Sequence, residues 1–147
     1  MRKPPDTFTT AMDTFDERME ELLDDLSVFD NWTEKYEYII DLGRGLPPMP
    51  EQYRKDENLI KGCQSRVWVG TELEDGKLLV HADSDSLITK GLIAIFIRLL
   101  SGLTPQQVMD ADLTPLHESG LREHLASTRA NALNTMEATI RDAARRA

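Results

Sequence analysis

The sequence predicts an α+β fold: a small three-stranded antiparallel sheet packed in two layers against several helices. Three observations carry this expectation. Apolar residues recur at helical spacing through residues 9–42. The stretch from 58 to 82 is rich in β-formers and contains an Asp-Gly turn. Helical periodicity then resumes and continues to the C-terminus. The chain has 147 residues, the length of one domain, and a single domain over 1–147 is expected.

The first helix is expected over residues 9–27. Met12, Phe15, Met19, Leu22, Leu23 and Leu26 share one face, and Asp13, Asp16, Glu17, Glu20 and Asp24 cover the other. A membrane-surface helix would want a basic polar face, and this one is acidic. A second helix is expected over 32–42, with Trp32, Tyr36, Ile39 and Ile40 inward and Gly43 and Gly45 as its stop. Leu46-Pro47-Pro48-Met49-Pro50 must be extended and reads as a stiff connector.

Asn58-Leu59-Ile60 is the expected third strand. Residues 66–71 and 77–82 are the two arms of a hairpin turning at Asp75-Gly76. Between the short strand and the hairpin lies a tight loop, Lys61-Gly62-Cys63-Gln64-Ser65. The N-cap formers Asp83-Ser84-Asp85-Ser86 open a helix over 87–100. It is apolar on most sides, so it is expected to be the buried central helix, and Gly91 would let another backbone approach it closely. Gly102 ends it, Thr104-Pro105 starts a short helix, and residues 118–146 form a helical tail in one piece or two. Trp32 and Trp68 are expected in the core.

Composition narrows the function. Asp and Glu number 26 against 17 Lys and Arg, a net charge of −9. Such a chain repels phosphate backbones and anionic lipid, so neither nucleic acid nor a membrane is an expected partner. The acidity is concentrated in residues 1–60, with 15 acids and 7 bases; the remainder holds 11 and 10. No apolar run approaches the ~20 residues that span a bilayer, and no signal-peptide pattern is present, so a cytoplasmic protein is expected.

The common catalytic patterns are missing. There is no glycine-rich phosphate loop, no nucleophile elbow and no HExxH, and His81, His117 and His124 are scattered, as surface or locally bonded histidines would be. No cofactor or metal site is expected. What remains is Cys63, the chain's one cysteine, which can make no internal disulfide and cannot alone hold a cluster or zinc. A lone cysteine is often just a small buried hydrophobe. This one follows Gly62 in a loop and is flanked by Lys61 and Arg66, cations that favour thiolate, the nucleophilic form. No base or acid accompanies it in sequence. The residues therefore describe a loop thiol that accepts a group from elsewhere, and leave a structural cysteine as the other possibility.

The run Gly62-Cys63-Gln64-Ser65-x-Val67-Trp68 resembles the signature loop of SufE-type sulfur acceptor proteins. The likeness extends to Trp32-x-x-Lys35-Tyr36-x-x-Ile39-Ile40-x-Leu42-Gly43, Leu46-Pro47-x-Met49-Pro50, Asp83-Ser84-Asp85-x-x-Ile88-x-Lys90-Gly91-Leu92 and Gly102-x-Thr104-Pro105. In the tail, Gly120-Leu121-x-x-His124-Leu125 and Arg129-x-Asn131-x-Leu133-x-x-Met136 fit as well. Ala132 stands where the family often has Gly.

The resemblance implies a SufE/IscU-like sandwich and a carrier that takes persulfide sulfur from a pyridoxal-phosphate cysteine desulfurase of the SufS type onto Cys63. It implies stimulation of that desulfurase and delivery to an iron–sulfur scaffold. It makes the chain a sulfur-transfer protein rather than an independent enzyme. A CsdE-type carrier serving another desulfurase, and a non-covalent activator with a structural Cys63, remain alternatives, and the chain could be a monomer or a homodimer. Gly62, Gln64, Ser65, Asp85 and Arg129 fall on the family motifs as loop or partner-binding residues. The thiol is expected to rest sheltered against the 87–100 helix, where Gly91 leaves room, and to turn outward on docking.

Overall fold

A computed structural model of the chain describes residues 14–60 and 65–147, with the side chains of Ser127 and Thr128 excepted. Helix α1 is Phe15–Ser27. It starts later than its periodicity suggests because Thr14 is extended, and its hydroxyl accepts from the Glu17 N–H at 3.2 Å. Phe15, Met19, Leu22 and Leu26 are buried as expected; Met12 lies outside the described residues.

Helix α2, Trp32–Arg44, is capped by Asn31, whose side chain accepts from the Glu34 N–H at 2.9 Å. Gly43 does not stop it. It lies inside the helix, facing Gly91 of α3, Leu87–Leu100. A Cβ on Gly43 would stand 2.7 Å from the Gly91 nitrogen, and one on Gly91 would stand 2.3 Å from the Ile39 carbonyl oxygen. The two helices thus cross almost backbone to backbone, and glycine is required there by space. The room expected at Gly91 is thus filled by Ile39, and Cys63, expected to shelter there, lies outside the described residues.

Helix α3 is the buried centre of the molecule, with Leu92 to Leu100 buried without a break. Helix α1 locks its end, where buried Arg18 donates to the Ser101 carbonyl at 2.7 Å and that of Leu99 at 3.4 Å. Arg98 ties α3 to both earlier helices: its Nη2 donates to Asp25 at 2.6 Å and its Nη1 to the Tyr38 hydroxyl at 2.5 Å. Burial, partly opposed by the Arg98 charge, pushes the Tyr38 hydroxyl up to about 12.

The described sheet has two strands, not the three expected. β1 (Val67–Glu74) and β2 (Lys77–Ser84) pair antiparallel, turning through Asp75 and Gly76, both at positive φ. The segment proposed as the third strand makes one bridge, Leu59 opposite Trp68, with the Ile60 N–H donating to the Val67 carbonyl at 2.8 Å. Two short 3₁₀ turns, Glu51–Tyr53 and Asp56–Asn58, take up the chain before it. Among the described residues the segment makes that one bridge, short of a ladder. The far edge of β2 is met instead by Leu103, which accepts from the Leu78 N–H at 2.8 Å.

Helix α4, Pro105–Asp110, opens on a reciprocal Thr104–Gln107 capping box. Helix α5, Thr114–His117, is a further short turn that the periodicity did not reveal. The tail is in two pieces, a 3₁₀ turn at Arg122–His124 and helix α6, Ser127–Arg146. Helices α1, α2 and α6 surround α3, and the hairpin closes its remaining side. No described helix is long and apolar enough to cross a membrane.

Candidate functional site

Lys61, Gly62, Cys63 and Gln64 lie outside the described residues, so the site is defined by the two arms that lead into and out of them. The exit arm begins at half-buried Ser65. Asp85 secures it from both directions: Oδ1 accepts from the Arg66 N–H at 3.0 Å, and the Asp85 N–H donates to the Arg66 carbonyl at 3.2 Å. Asp85 immediately precedes the N-cap of α3, Ser86, so the exit arm is fastened to the rigid start of the central helix. The exposed side chain of Leu87 stands beside this junction.

Arg129 is placed elsewhere. It is exposed at the start of α6 and lines a cavity of about 300 Å³ with Tyr36, Ile40, Ile88, His124 and Leu125. Ile88 belongs to the first turn of α3, so this cavity and the Asp85 junction flank the same helix end. Burial raises the Tyr36 hydroxyl pKa, and the Arg129 charge opposes the rise. His124 stacks on Trp32 with ring centres 4.2 Å apart and shares a hydrogen bond with the Gly120 carbonyl at 2.8 Å.

Neither tryptophan is a fully buried core residue. Trp32 is half-buried at the edge of the core under His124. Trp68 points away from the core because strand side chains alternate: Val67 and Val69 turn inward and are buried, so the residue between them must turn outward. There it meets Arg54, whose guanidinium lies 4.9 Å from the ring centre.

That outer face of the hairpin carries polar contacts the sequence did not single out. Arg54 Nη2 donates to Asp83 Oδ2 at 2.6 Å, and Lys90 Nζ stands 3.3 Å from Asp83 Oδ1. Burial pushes the Asp83 carboxyl up, but the bonds from Arg54 and the Ser84 N–H, with the Lys90 charge, outweigh it and hold the carboxyl below its ordinary range. Next to it, Tyr53 donates to Glu72 at 3.0 Å and stacks on His81, whose Nε2 is 2.9 Å from the same carboxylate. The hydrogen bond with His81, then that from Tyr53, keeps Glu72 below its usual pKa. Asp83 and Lys90 do fall on a motif quoted above; Arg54 and Tyr53 had no local signal.

A family model described as "SufE: Fe-S metabolism associated domain" matches residues 20–144. Among solved structures, the fold is similar to the solution structure of a hypothetical protein from Thermus thermophilus, with a TM-score of 0.74 at 16% identity. The match covers 88% of this chain and 94% of that one. At that identity the likeness establishes the architecture alone.

Proposed function

We propose a sulfur-carrier function from the premise that the chain belongs to the SufE family of Fe-S metabolism associated domains. In this reading Cys63 is the acceptor and the donor is a persulfide on a pyridoxal-phosphate cysteine desulfurase. The Cys63 thiolate attacks the outer sulfur of that persulfide. A bond forms between Cys63 Sγ and the outer sulfur, the donor's own S–S bond breaks, and the donor cysteine leaves as thiolate. The exchange needs no oxidant or reductant. An iron–sulfur scaffold then receives the sulfur by the same kind of step, and the desulfurase is stimulated because its thiol is freed for another turnover.

The observation that carries the reading beyond family membership is the double hydrogen bond between Asp85 and Arg66. It fastens the arm that follows residues 61–64 to the start of α3, the arrangement expected of a reactive loop carried on a rigid scaffold. The transfer also asks for one thiol, and the chain has one.

The test is the intact mass of the protein after exposure to a purified cysteine desulfurase and cysteine. A gain of one sulfur atom, removed by reductant and absent in Cys63→Ser, is expected. Stimulation of sulfide release by Cys63→Ser equal to that by wild type would show that the chain acts by binding alone.

A further inference from the structure

A two-stranded sheet has two open edges, and the hairpin closes them unequally. On β2, the Leu78 N–H donates to the Leu103 carbonyl at 2.8 Å and the Val80 N–H to the Ser101 hydroxyl at 2.9 Å. Main-chain groups alternate in direction along a strand, so Leu79 and His81 are the residues that face β1, opposite Glu72 and Gly70. Thr71 and Leu73 of β1 therefore turn their N–H and C=O groups away from β2. Val67 has the same parity, and its outward carbonyl accepts from the Ile60 N–H at 2.8 Å. That pairing stops at once, because Asn58 belongs to a 3₁₀ turn. Among the described residues, no backbone group bonds Thr71 or Leu73 on the open side.

This length of edge lies in a groove of about 400 Å³. One wall is α6, which presents Thr135, Thr139, Ala143 and Arg146 on one face. The other wall is formed by the 3₁₀ turns, with Lys55 and Asn58. Each wall thus carries a cation. Lys55 bonds Glu57 at 2.8 Å, but both side chains are more than half exposed, and such a pair is weak. Arg146 is exposed and joins no ion pair among the described residues. The lining holds two cations and one acid, in a chain whose net charge is −9.

We propose that the edge of β1 at residues 71 and 73 takes an extended acidic segment of a partner protein as a third strand. Main-chain bonds to Thr71 and Leu73 would hold the segment, and carboxylates on its two faces would meet Arg146 and Lys55. A strand stands about 5 Å from its neighbour, so one extended segment fits between the walls. A second copy of this chain would have to bring its own walled edge into the same groove. The proposal does not depend on the sulfur-carrier reading.

The experiment uses the full chain labelled with nitrogen-15. Amide exchange in the free protein tests the edge itself: Thr71 and Leu73 should exchange tenfold or more faster than Gly70 and Glu72. Equal protection would mean that the edge is already covered and would overturn the proposal. The probe is a peptide of about seven residues, threonine and valine with two adjacent glutamates, added at low salt. Adjacent residues of a strand point to opposite faces, so its carboxylates reach both walls.

Saturable shifts at the Thr71 and Leu73 amides are expected, with affinity tenfold or more lower for the same peptide carrying lysine in place of glutamate. Arg146→Glu and Lys55→Glu should each weaken binding of the glutamate peptide threefold or more. Absence of saturable shifts at those amides, equal affinity for the lysine peptide, or wild-type affinity in both variants would overturn the proposal. So would the same shifts with free glutamate, which would mark an anion site only. A dimer in sedimentation that Thr71→Pro converts to monomer would give the edge to a second copy and refute the acidic segment. The wild-type titrations with the two peptides decide the matter if a variant does not fold.

Discussion

Replacing Gly91 by Ala sets two known effects against each other, and the structure says which wins. In an ordinary helix interior, Gly→Ala stabilises by about 1 kcal/mol. At Gly91 the new methyl would stand 2.3 Å from the Ile39 carbonyl oxygen, 2.7 Å from its Cγ2 and 2.8 Å from its carbonyl carbon. Two of the three neighbours are backbone, so no rotamer change relieves the contact. Restoring an ordinary 3.4 Å separation requires α2 and α3 to part by about 1 Å along that line. Overpacking of this kind costs about 1–3 kcal/mol, and a clash with backbone belongs at or above the upper end. The net expectation is a loss of about 2 kcal/mol, since the propensity gain offsets part of the clash. For a chain of this length that lowers the melting temperature by roughly 4–8 °C. Urea unfolding followed by far-UV circular dichroism measures the free energy, and a thermal melt measures the shift. A Gly91→Ala protein as stable as wild type, or more so, would refute the claim that these helices meet backbone to backbone.

Three further expectations follow from the charged and aromatic contacts. The Asp83 carboxyl is held low in the folded state, facing Arg54 and Lys90, so its stabilisation is complete above the unfolded carboxyl value of about 3.9 and is lost as pH falls through the folded value. The stability difference between wild type and Asp83→Asn should therefore be constant near neutrality and shrink below about pH 4; a difference that grows on acidification would contradict the pairing. In a spectrophotometric titration of the chain's three tyrosines, Tyr38 should ionise only at about 12; release of all three near 10 would mean that Tyr38 is not buried beside Arg98. Charge reversal at Asp85 or Arg129, both exposed, should alter desulfurase stimulation with only a small change in melting temperature, and wild-type stimulation by both variants would remove them from the partner surface.

Much of this molecule was legible in one dimension because the responsible interactions are local. Thr104 and Gln107 satisfy each other three residues apart, and Asp75-Gly76 turns the hairpin through backbone conformations those residues favour. The central helix declared itself by being apolar on most sides, since few positions on it could face water favourably. The motif around Cys63 and the family it belongs to were equally plain.

Contacts between residues distant along the chain were not legible in this way. That Asn58 is taken up in a 3₁₀ turn and Leu59 makes a single bridge to Trp68 is decided by tertiary contact. Gly43 looks like a helix stop until the partner helix is in place, because a glycine's missing Cβ has the same local signature whether it ends a helix or admits another. Trp68 alternates with two valines, and only the position of α3 says which parity is the inner one. Arg54 and Asp83 are 29 residues apart, with no spacing rule to connect them. Local pattern thus specified most of the element types and pointed to the one thiol. Which side chains meet across distant parts of the chain was left to the packing of those elements, because such contacts arise only after long loops have closed.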